Sequence, residues 1–228
     1  MGDHGSHRTY AEEFLSYSYH RYGLKATIRK VLTSTRERIY LDETHVWYKL
    51  SLETDRAHVV RVPGLSLIQA SVRDLPLLES LPGIDPYKAR RRLEAGHDLW
   101  LVLKGQQPVF ACWVFHGSVP VIAARQGHIA LPPEIVVFED SISSPAYRGR
   151  GISLAAWPKI ADRLSQTAAT TILTKVEENN MAARRAFSKS GFREISTTRF
   201  QRRGPWKSLT MHVENCSTAS WLAEQLTR

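Results

Sequence analysis

A short, basic, glycine-rich turn between a predicted strand and a predicted helix constrains this chain more than any other feature. Residues 135–143 are rich in β-branched and aromatic side chains and predict a strand. The turn 148–151 follows, and residues 152–168 have helical spacing. At such a junction several backbone N–H groups converge, and the helix dipole adds partial positive charge. The turn therefore predicts a binding site for a pyrophosphate.

The residue types in this turn fit that role. Gly149 and Gly151 let the backbone approach a ligand closely, and Arg148 and Arg150 raise the local positive potential. A turn of this composition also occurs in solvated loops and in nucleic-acid-binding segments. No Lys-Ser or Lys-Thr pair follows it, which excludes a P-loop, and its glycine spacing differs from that of a Rossmann fingerprint.

The order of predicted elements indicates an α/β sandwich around one mixed sheet. From residue 65 onward it is strand, two helices, three strands, helix, strand, helix and two strands. Pro63-Gly64 marks a boundary. We therefore divide the chain into an N-terminal extension (1–62), a main domain (63–214) and a C-terminal tail with a short helix (215–228).

The N-terminal extension has two predicted parts. Residues 10–33 predict a basic amphipathic helix. Its basic surface could face a membrane or an anionic acceptor. Alternatively, the helix covers the sheet or makes a dimer contact. Residues 38–52 predict one or two strands around a polar turn at Asp42-Glu43. The aromatic side chains of this second part either extend the sheet or line an acceptor pocket.

Capping and breaking residues set the predicted helix ends. We expect Asp74 to cap a helix that runs to about Leu81, and Asp85 to cap the next helix, 86–95. Pro158 should kink or shorten the helix that follows the glycine-rich turn. Gly191 should end the helix that begins near residue 180.

Charge and cysteine content narrow the classes of protein to consider. The net charge is +9, and residues 148–228 hold 14 Lys and Arg against 6 Asp and Glu. This basic third could attract nucleic acid, anionic lipid or a phosphorylated cofactor. Cys112 and Cys216 form neither a zinc motif nor a disulfide framework. With no secretory signal and no long apolar run, the sequence predicts a cytoplasmic protein that meets a membrane at most peripherally.

A second motif lies about thirty residues after the turn. It reads Asn180-x-x-Ala183-x-x-x-Phe187-x-x-x-Gly191-Phe192. Together with the Arg-x-x-Gly-x-Ser turn, it resembles the two signature motifs of the GNAT N-acetyltransferase superfamily. The opening segment 67–78 is also similar to the first strand and helix of that family, so that the resemblance covers roughly residues 63–214.

The resemblance implies a GNAT-like fold, with a mixed, mostly antiparallel sheet flanked by helices. It implies that acetyl-CoA, or another acyl-CoA, is the co-substrate, without a metal. The backbone of Ile142 and Ser143 would pair with the pantetheine arm, Asn180 would contact that arm, and Phe187 would pack near the thioester. The residues that would wrap the CoA pyrophosphate with their main-chain N–H groups are Arg148, Gly149, Arg150, Gly151, Ile152 and Ser153.

Two of these residues have ordinary structural interpretations, and two depart from the family pattern. Asn180 could cap its helix, and Phe187 could be core. Ser153 stands where the family usually has Gly or Ala, but it is still small. Phe187 stands where many members place a tyrosine that protonates the leaving thiolate.

The chemistry of amine acylation points to Glu139 and Asp140. An alkylammonium with a pKa near ~10 needs a base before it can attack a thioester at neutral pH. These carboxylates alternate on a strand, so only one should face the site unless a bulge re-aims both; we favour Glu139. A backbone N–H near Ser143 could stabilise the oxyanion. Tyr147 or water could replace the missing tyrosine.

The sequence thus predicts an acyl-CoA-dependent N-acyltransferase that moves an acetyl group to a primary amine. Amino sugars, amino acids, polyamine-like metabolites and protein amines all stay open as acceptors, and we favour a small-molecule or sugar-linked amine. The alternatives are a CoA-binding regulatory or interaction module without turnover, and a long-chain N-acyltransferase. We expect no specific nucleic-acid partner, since no RNA-binding signature is present, and a homodimer is possible.

Overall fold

The computed structural model of the chain describes residues 40–54 and 62–228. The helix predicted at residues 10–33 lies outside these residues. The described residues divide into two compact units, one of residues 44–54, 62–198 and 210–228, and one of residues 40–43 and 199–209.

The described residues form ten strands and four α-helices. The strands are β1 (Tyr40–Ser51), β2 (Leu65–Ala70), β3 (Asp98–Lys104), β4 (Gln107–Phe115), β5 (Ser118–Pro120), β6 (His128–Ala130), β7 (Ile135–Ser143), β8 (Thr171–Glu177), β9 (Arg193–Arg203) and β10 (Trp206–Val213). The α-helices are α1 (Pro86–Glu94), α2 (Ile152–Leu164), α3 (Met181–Lys189) and α4 (Ser217–Thr227). Two 3₁₀ helices span Val72–Ser80 and Pro145–Tyr147.

Eight strands form one sheet, in the order β10-β9-β1-β8-β7-β4-β3-β2. The β7–β8 pair is parallel, whereas β1–β8, β2–β3, β3–β4 and β4–β7 are antiparallel. Strands β5 and β6 form a separate ribbon. The predicted mixed, mostly antiparallel sheet is confirmed.

The strand β1 lies inside this sheet, between β8 and β9. The turn predicted at Asp42-Glu43 is wrong, because β1 runs through both residues without a break. Alternation of apolar and polar residues favoured a strand, and β1 continues from Tyr40 into the part that pairs with β8 at His45–Ser51. Trp47 is buried, and its Nε1 donates to Thr198 Oγ1 at 3.2 Å. The boundary at 62/63 stays a prediction.

Alternation along the strands gives the sheet two apolar faces. One face packs against α2 through a cluster that includes Cys112, Phe138, Trp157 and Ile160. The opposite face carries Trp113, and the Val72–Ser80 3₁₀ helix and α1 contact its strands. Strands β3 and β4 thus lie between two layers of helix.

The Val72–Ser80 segment begins at a different cap from the predicted one. Ser71 is the N-cap, and its Oγ accepts a hydrogen bond from Arg73 N at 3.2 Å. The prediction of Asp74 as N-cap is wrong, because Asp74 Oδ2 instead accepts from Ser71 N at 2.8 Å. The two side chains form a capping box. The prediction for Asp85 is confirmed, since Asp85 Oδ1 accepts from Tyr87 N at 3.0 Å.

The other helix ends follow the proline and glycine positions. Helix α2 contains Pro158 and ends at Leu164, four residues before the predicted end at 168. Helix α3 stops before Gly191, whose φ of 90° lies in the left-handed region that glycine favours. Helix α4 begins at Ser217, three residues before the predicted start at 220.

In its described part, the smaller unit contains one end each of β1, β9 and β10. Arg199 Nε and an Nη donate to the two carboxylate oxygens of Asp42 at 2.9 Å each, and Gln201 Nε2 donates to the same group at 2.9 Å. The hydrogen bond from Arg199 lowers the pKa of Asp42 to about 2. Because the pair lies at the surface, with the Arg199 and Asp42 side chains 55% and 25% exposed, solvent screens it.

Removal of residues 1–62 tests whether β1 belongs to the folding unit. The deletion exposes the edges of β8 and β9, so we expect loss of cooperative unfolding in a denaturant titration. Trp47→Phe should keep the cooperative transition and lose about 1 kcal/mol, because it removes one hydrogen bond and keeps the strand. A truncated chain that unfolds at the full-length midpoint would contradict the interior position of β1.

Candidate active site

Strands β7 and β8 separate part-way along their length. Their parallel ladder begins at Ile135–Thr171 and ends at Phe138–Thr174. Beyond that pair β7 stays bonded to β4 as far as Ser143, which lies opposite Phe110. The edge of β7 that faces β8 is therefore left without ladder bonds beyond Phe138. We call the divergence after Phe138 and Thr174 the fork.

A β-bulge in β7 lies at the fork. Ala111 of β4 is opposite Ile142 and Trp113 is opposite Glu139, so that Asp140 and Ser141 together oppose Cys112. Asp140 has a φ of 48°, the one positive value for a non-glycine residue among the described residues. The simple alternation expected for the two carboxylates is thus broken by the bulge.

Hydrogen bonds from the sheet and from α2 hold the bulge. Ser141 Oγ donates to Cys112 Sγ at 3.2 Å, and Trp157 Nε1 donates to Ser141 Oγ at 3.4 Å. Burial raises the pKa of the Cys112 thiol to about 12. Cys112 therefore stays a neutral thiol that packs and accepts a hydrogen bond.

Glu139 is the first residue of β7 beyond the last β7–β8 pair. Lys175 holds the same position in β8, and its Nζ donates to Glu139 Oε1 at 2.7 Å. The two side chains are 17% and 15% exposed, so this ion pair is largely removed from water. Burial raises the pKa of Glu139, and the Lys175 ammonium opposes that rise.

Asp140 makes a separate ion pair in a wetter place. Its Oδ2 lies 2.7 Å from Arg92 Nη2, and half of the Asp140 side chain is exposed. The Arg92 guanidinium lies 5.1 Å from the ring centroids of both Trp113 and Phe115. These aromatic contacts fix the cation, because a guanidinium is attracted to ring faces. The bulge thus directs the two carboxylates to two different cations.

His45 is a fork residue that the sequence reasoning missed. It lies on β1 opposite Glu177 of β8. Burial, followed by the positive charge of Lys175, lowers the pKa of His45 from 6.5 to about 4. The imidazole is therefore neutral at neutral pH. No local pattern could have identified it, because more than 130 residues separate His45 from Glu177 in sequence.

The glycine-rich turn contains two residues with a left-handed backbone. Gly149 and Gly151 have φ values of 74° and 72°, and Gly151 is the N-cap of α2 without a side-chain cap bond. A Cβ placed on either glycine would meet nothing within 4 Å. The N–H groups of the first turn of α2 thus lack a capping side chain, and open space adjoins the turn.

Three cations lie at or beside the turn. Arg148 and Arg150 are exposed, and neither forms an ion pair with a described residue. The Arg150 guanidinium lies 5.3 Å from the Tyr147 ring centroid, and Lys104 Nζ at the end of β3 lies 5.5 Å from it. Lys104 was missed in the sequence, where more than forty residues separate it from the turn.

The other predicted cofactor-binding residues differ in how far their side chains are buried. Ile142 and Ser143 are half-buried on the part of β7 beyond the fork, and Ser153 is half-buried in α2. Ile152 is buried in the core, which leaves its backbone N–H as the group it could offer a ligand. Ile142 Cδ1 would lie 3.8 Å from a Cβ on Gly83, in the loop before α1.

Asn180 and Phe187 both make the structural contacts that were considered as alternatives. Asn180 Oδ1 accepts from Ala183 N at 3.2 Å and caps α3. Phe187 is buried and stacks on Trp157 at a centroid distance of 3.9 Å, with Phe192 at 5.1 Å. A contact of either residue with a cofactor stays a prediction.

The family comparison agrees with this geometry. The model of the acetyltransferase (GNAT) family matches residues 77–192, which is half of the chain. The chain belongs to the GNAT acetyltransferase family. The match contains the fork, the bulge, the glycine-rich turn and α3. A search of the curated proteins finds no match.

Solved structures show the GNAT fold at low sequence identity. A Drosophila protein has a TM-score of 0.52 at 11% identity, over 81% of this chain and 58% of its own. A Novosphingobium aromaticivorans protein assigned to the GNAT family has a TM-score of 0.50 at 13% identity, over 77% of this chain and 66% of its own. A Clostridium acetobutylicum protein solved with acetyl-CoA has a TM-score of 0.40 at 16% identity, over 57% of this chain and 90% of its own. This GNAT chain spans less than two thirds of the length of the Drosophila and Novosphingobium proteins.

None of the helices within residues 40–54 and 62–228 of the GNAT chain is long and apolar enough to cross a bilayer. That part of the chain also brings together no group of three or more His, Cys, Asp or Glu side chains suited to a metal ion.

The lowered pKa of His45 predicts a pH dependence of stability. Between pH 6.5 and about 4, the unfolded chain binds a proton at His45 that the folded chain excludes. The free energy of unfolding should therefore fall as the pH drops through this range. His45→Gln should show a shallower fall in chemical denaturation at pH 7, 6, 5 and 4.5. Parallel curves for the two proteins would contradict the burial of a neutral imidazole.

Proposed function

We propose that this GNAT chain transfers an acetyl group from acetyl-CoA to a primary amine of a small-molecule or sugar-linked acceptor. One observation carries the proposal: an open turn with two left-handed glycines and an uncapped helix start, next to two diverging strands. Such a turn suits a diphosphate, and the fork offers an unpaired strand edge for an extended chain. Family membership supports the same reaction class.

The binding half of the proposal uses backbone groups for the most part. The N–H groups of residues 148–153 would bind the pyrophosphate, with Arg148, Arg150 and Lys104 adding positive charge. The fork-facing edge of Ile142 and Ser143 would bind the pantetheine arm, and Asn180 would contact that arm. Bound acetyl-CoA would supply the electrophilic thioester carbonyl.

Glu139 is the carboxylate that best suits the role of base. Its raised pKa makes it a stronger proton acceptor than an ordinary glutamate, and it lies at the fork. Asp140 is more exposed and is held by Arg92, so we assign it to positioning the acceptor amine or Arg92. A backbone N–H near Ser143 would donate to the oxyanion.

The leaving thiolate needs no acid from Phe187. A thiol with a pKa of ~8.5 leaves readily as its thiolate, so water suffices to protonate it. Phe187, which stacks on Trp157 and packs edge-on against Phe192, would then serve to exclude water from the site. Tyr147 is the candidate acid nearest to the turn in sequence, and both Lys104 and Arg150 lie within 5.5 Å of its ring centroid.

A second candidate function is acyl-CoA binding without turnover. The observation that favours it is that both candidate bases are ion-paired, Glu139 with Lys175 and Asp140 with Arg92. Phe187 in place of a tyrosine points the same way. Release of free CoA thiol from acetyl-CoA in the presence of a panel of amines separates the two functions, because a binding module releases none.

Substitutions at Gly151 test the placement of the diphosphate. Gly151→Asp places a negative charge beside the turn amides, and we expect at least a tenfold loss of CoA affinity by calorimetry. Gly151→Asn has nearly the same shape without the charge, and asparagine tolerates a left-handed backbone, so it should lose much less affinity.

Gly64→Asp is the matched control for that experiment. Gly64 has the same φ of 72° and the same open surroundings, but it lies before β2 and outside the turn. Its substitution should lower stability as Gly151→Asp does and leave CoA binding unchanged. Unchanged CoA affinity in folded Gly151→Asp would refute the proposed diphosphate site.

Glu139→Gln tests the base. We expect kcat/KM for the best amine to fall by about 10²–10⁴-fold with CoA affinity retained. The wild-type rate should rise with pH as Glu139 ionises, at a higher pH than for an ordinary carboxyl group because burial raises its pKa. That limb of the pH–rate profile should disappear in the variant. If Asp140→Asn loses the rate and Glu139→Gln retains it, the roles of the two carboxylates are reversed.

A further inference from the structure

The fork contains an amine of the protein's own, the side chain of Lys175. Its Nζ is already bonded to Glu139 at 2.7 Å, the carboxylate that the proposed function uses as base. An external amine has to reach this same carboxylate in order to lose a proton. Lys175 is therefore the amine that lies nearest to the base before any acceptor binds.

Strand β1 holds Lys175 at the fork. β1 and β7 flank opposite edges of β8. Trp47 of β1 is the register partner of Lys175, and it is 1% exposed. Glu139 is the acidic partner of Lys175 among the described residues, and His45 beside it is neutral. The Lys175 side chain thus has one anion to share a proton with and little water around it.

The contact between Lys175 Nζ and Glu139 Oε1 gives the proton a direct path to the base. When one proton passes from Nζ to the carboxylate, the ion pair becomes a neutral amine and a neutral acid. A neutral amine is the form that attacks a thioester.

We propose that Lys175 is itself an acyl acceptor, which takes one acyl group from the acyl-CoA bound in the fork. This inference rests on the proposed function, because the proposed function places the thioester where β7 and β8 diverge. It names an internal acceptor for the same site, in addition to the external amine.

The atoms and charges of the step balance. Glu139 takes one proton from the Lys175 ammonium, and Nζ attacks the thioester carbonyl carbon. The C–N bond forms and the C–S bond breaks as the tetrahedral intermediate collapses. The thiolate takes the second proton from nitrogen, which gives acyl-Lys175, a protonated Glu139 and free CoA thiol.

The experiment incubates the full-length protein with acetyl-CoA and no added amine. Intact mass spectrometry and peptide mapping should find one acetyl group per chain, on Lys175. Lys175→Arg keeps the ion pair but cannot be acylated, because arginine stays protonated, so it should take none. Glu139→Gln should slow the modification at least tenfold, since the base is lost.

Lys49→Arg is the matched control. Lys49 lies on the same face of the sheet, opposite Leu173, and its Nζ donates to the neutral Thr218 Oγ1 at 2.9 Å. This variant should be acetylated at Lys175 as fast as the wild type. Chain denatured in urea serves as the second control, because direct chemical acetylation would modify its lysines without preference.

The outcomes separate failure of this inference from failure of the proposed function. If CoA binds and external amines are acetylated while Lys175 stays unmodified, the inference is wrong and the proposed function stands. If acetyl groups appear on exposed lysines at the rate of the denatured chain, the inference is also wrong. If the protein neither binds CoA nor releases thiol with any amine, the proposed function fails, and the inference fails with it.

Discussion

The end of the β7–β8 ladder at Phe138 and Thr174 is the constraint on which the site depends. The bulge at Asp140 and Ser141 keeps β7 bonded to β4 but changes its direction, because a bulge increases the local twist. Strand β8 keeps its pairing with β1 along the same length. The two strands separate because each stays with its other neighbour, and this separation leaves the facing edge of β7 without ladder bonds.

Much of the fold was predictable because the signals for strands, turns and helix caps come from residues that are close together in sequence. The bounds of β7 were predicted as observed, since apolar β-branched residues followed by a polar glycine-rich turn specify both ends. The left-handed backbone at Gly151 follows from the same turn. Ser71 was missed as a cap because a Ser and an Asp three residues apart can each cap a helix, and the reciprocal capping box decides between them.

The site was less predictable, because its charges come from distant segments. The sequence identified Glu139 and Asp140, but their partners are Lys175 on β8 and Arg92 on α1. His45 lies on β1, whose neighbour β8 in the sheet is distant in sequence. The pairing of these groups decides which carboxylate can accept a proton, and only the tertiary fold sets that pairing.

Strand β1 connects these observations, because it supports both β8 and α3. Its register partners on β8 run from Glu177 to Thr171, and this range includes Lys175. Its Tyr48 hydroxyl accepts from Arg184 Nε of α3 at 3.0 Å, and the Tyr48 ring stacks on Phe187. Lys175 and Phe187 therefore both depend for their positions on a strand that the family match, which begins at residue 77, does not include. The part of the chain outside the match thus helps to set the geometry of the site inside it.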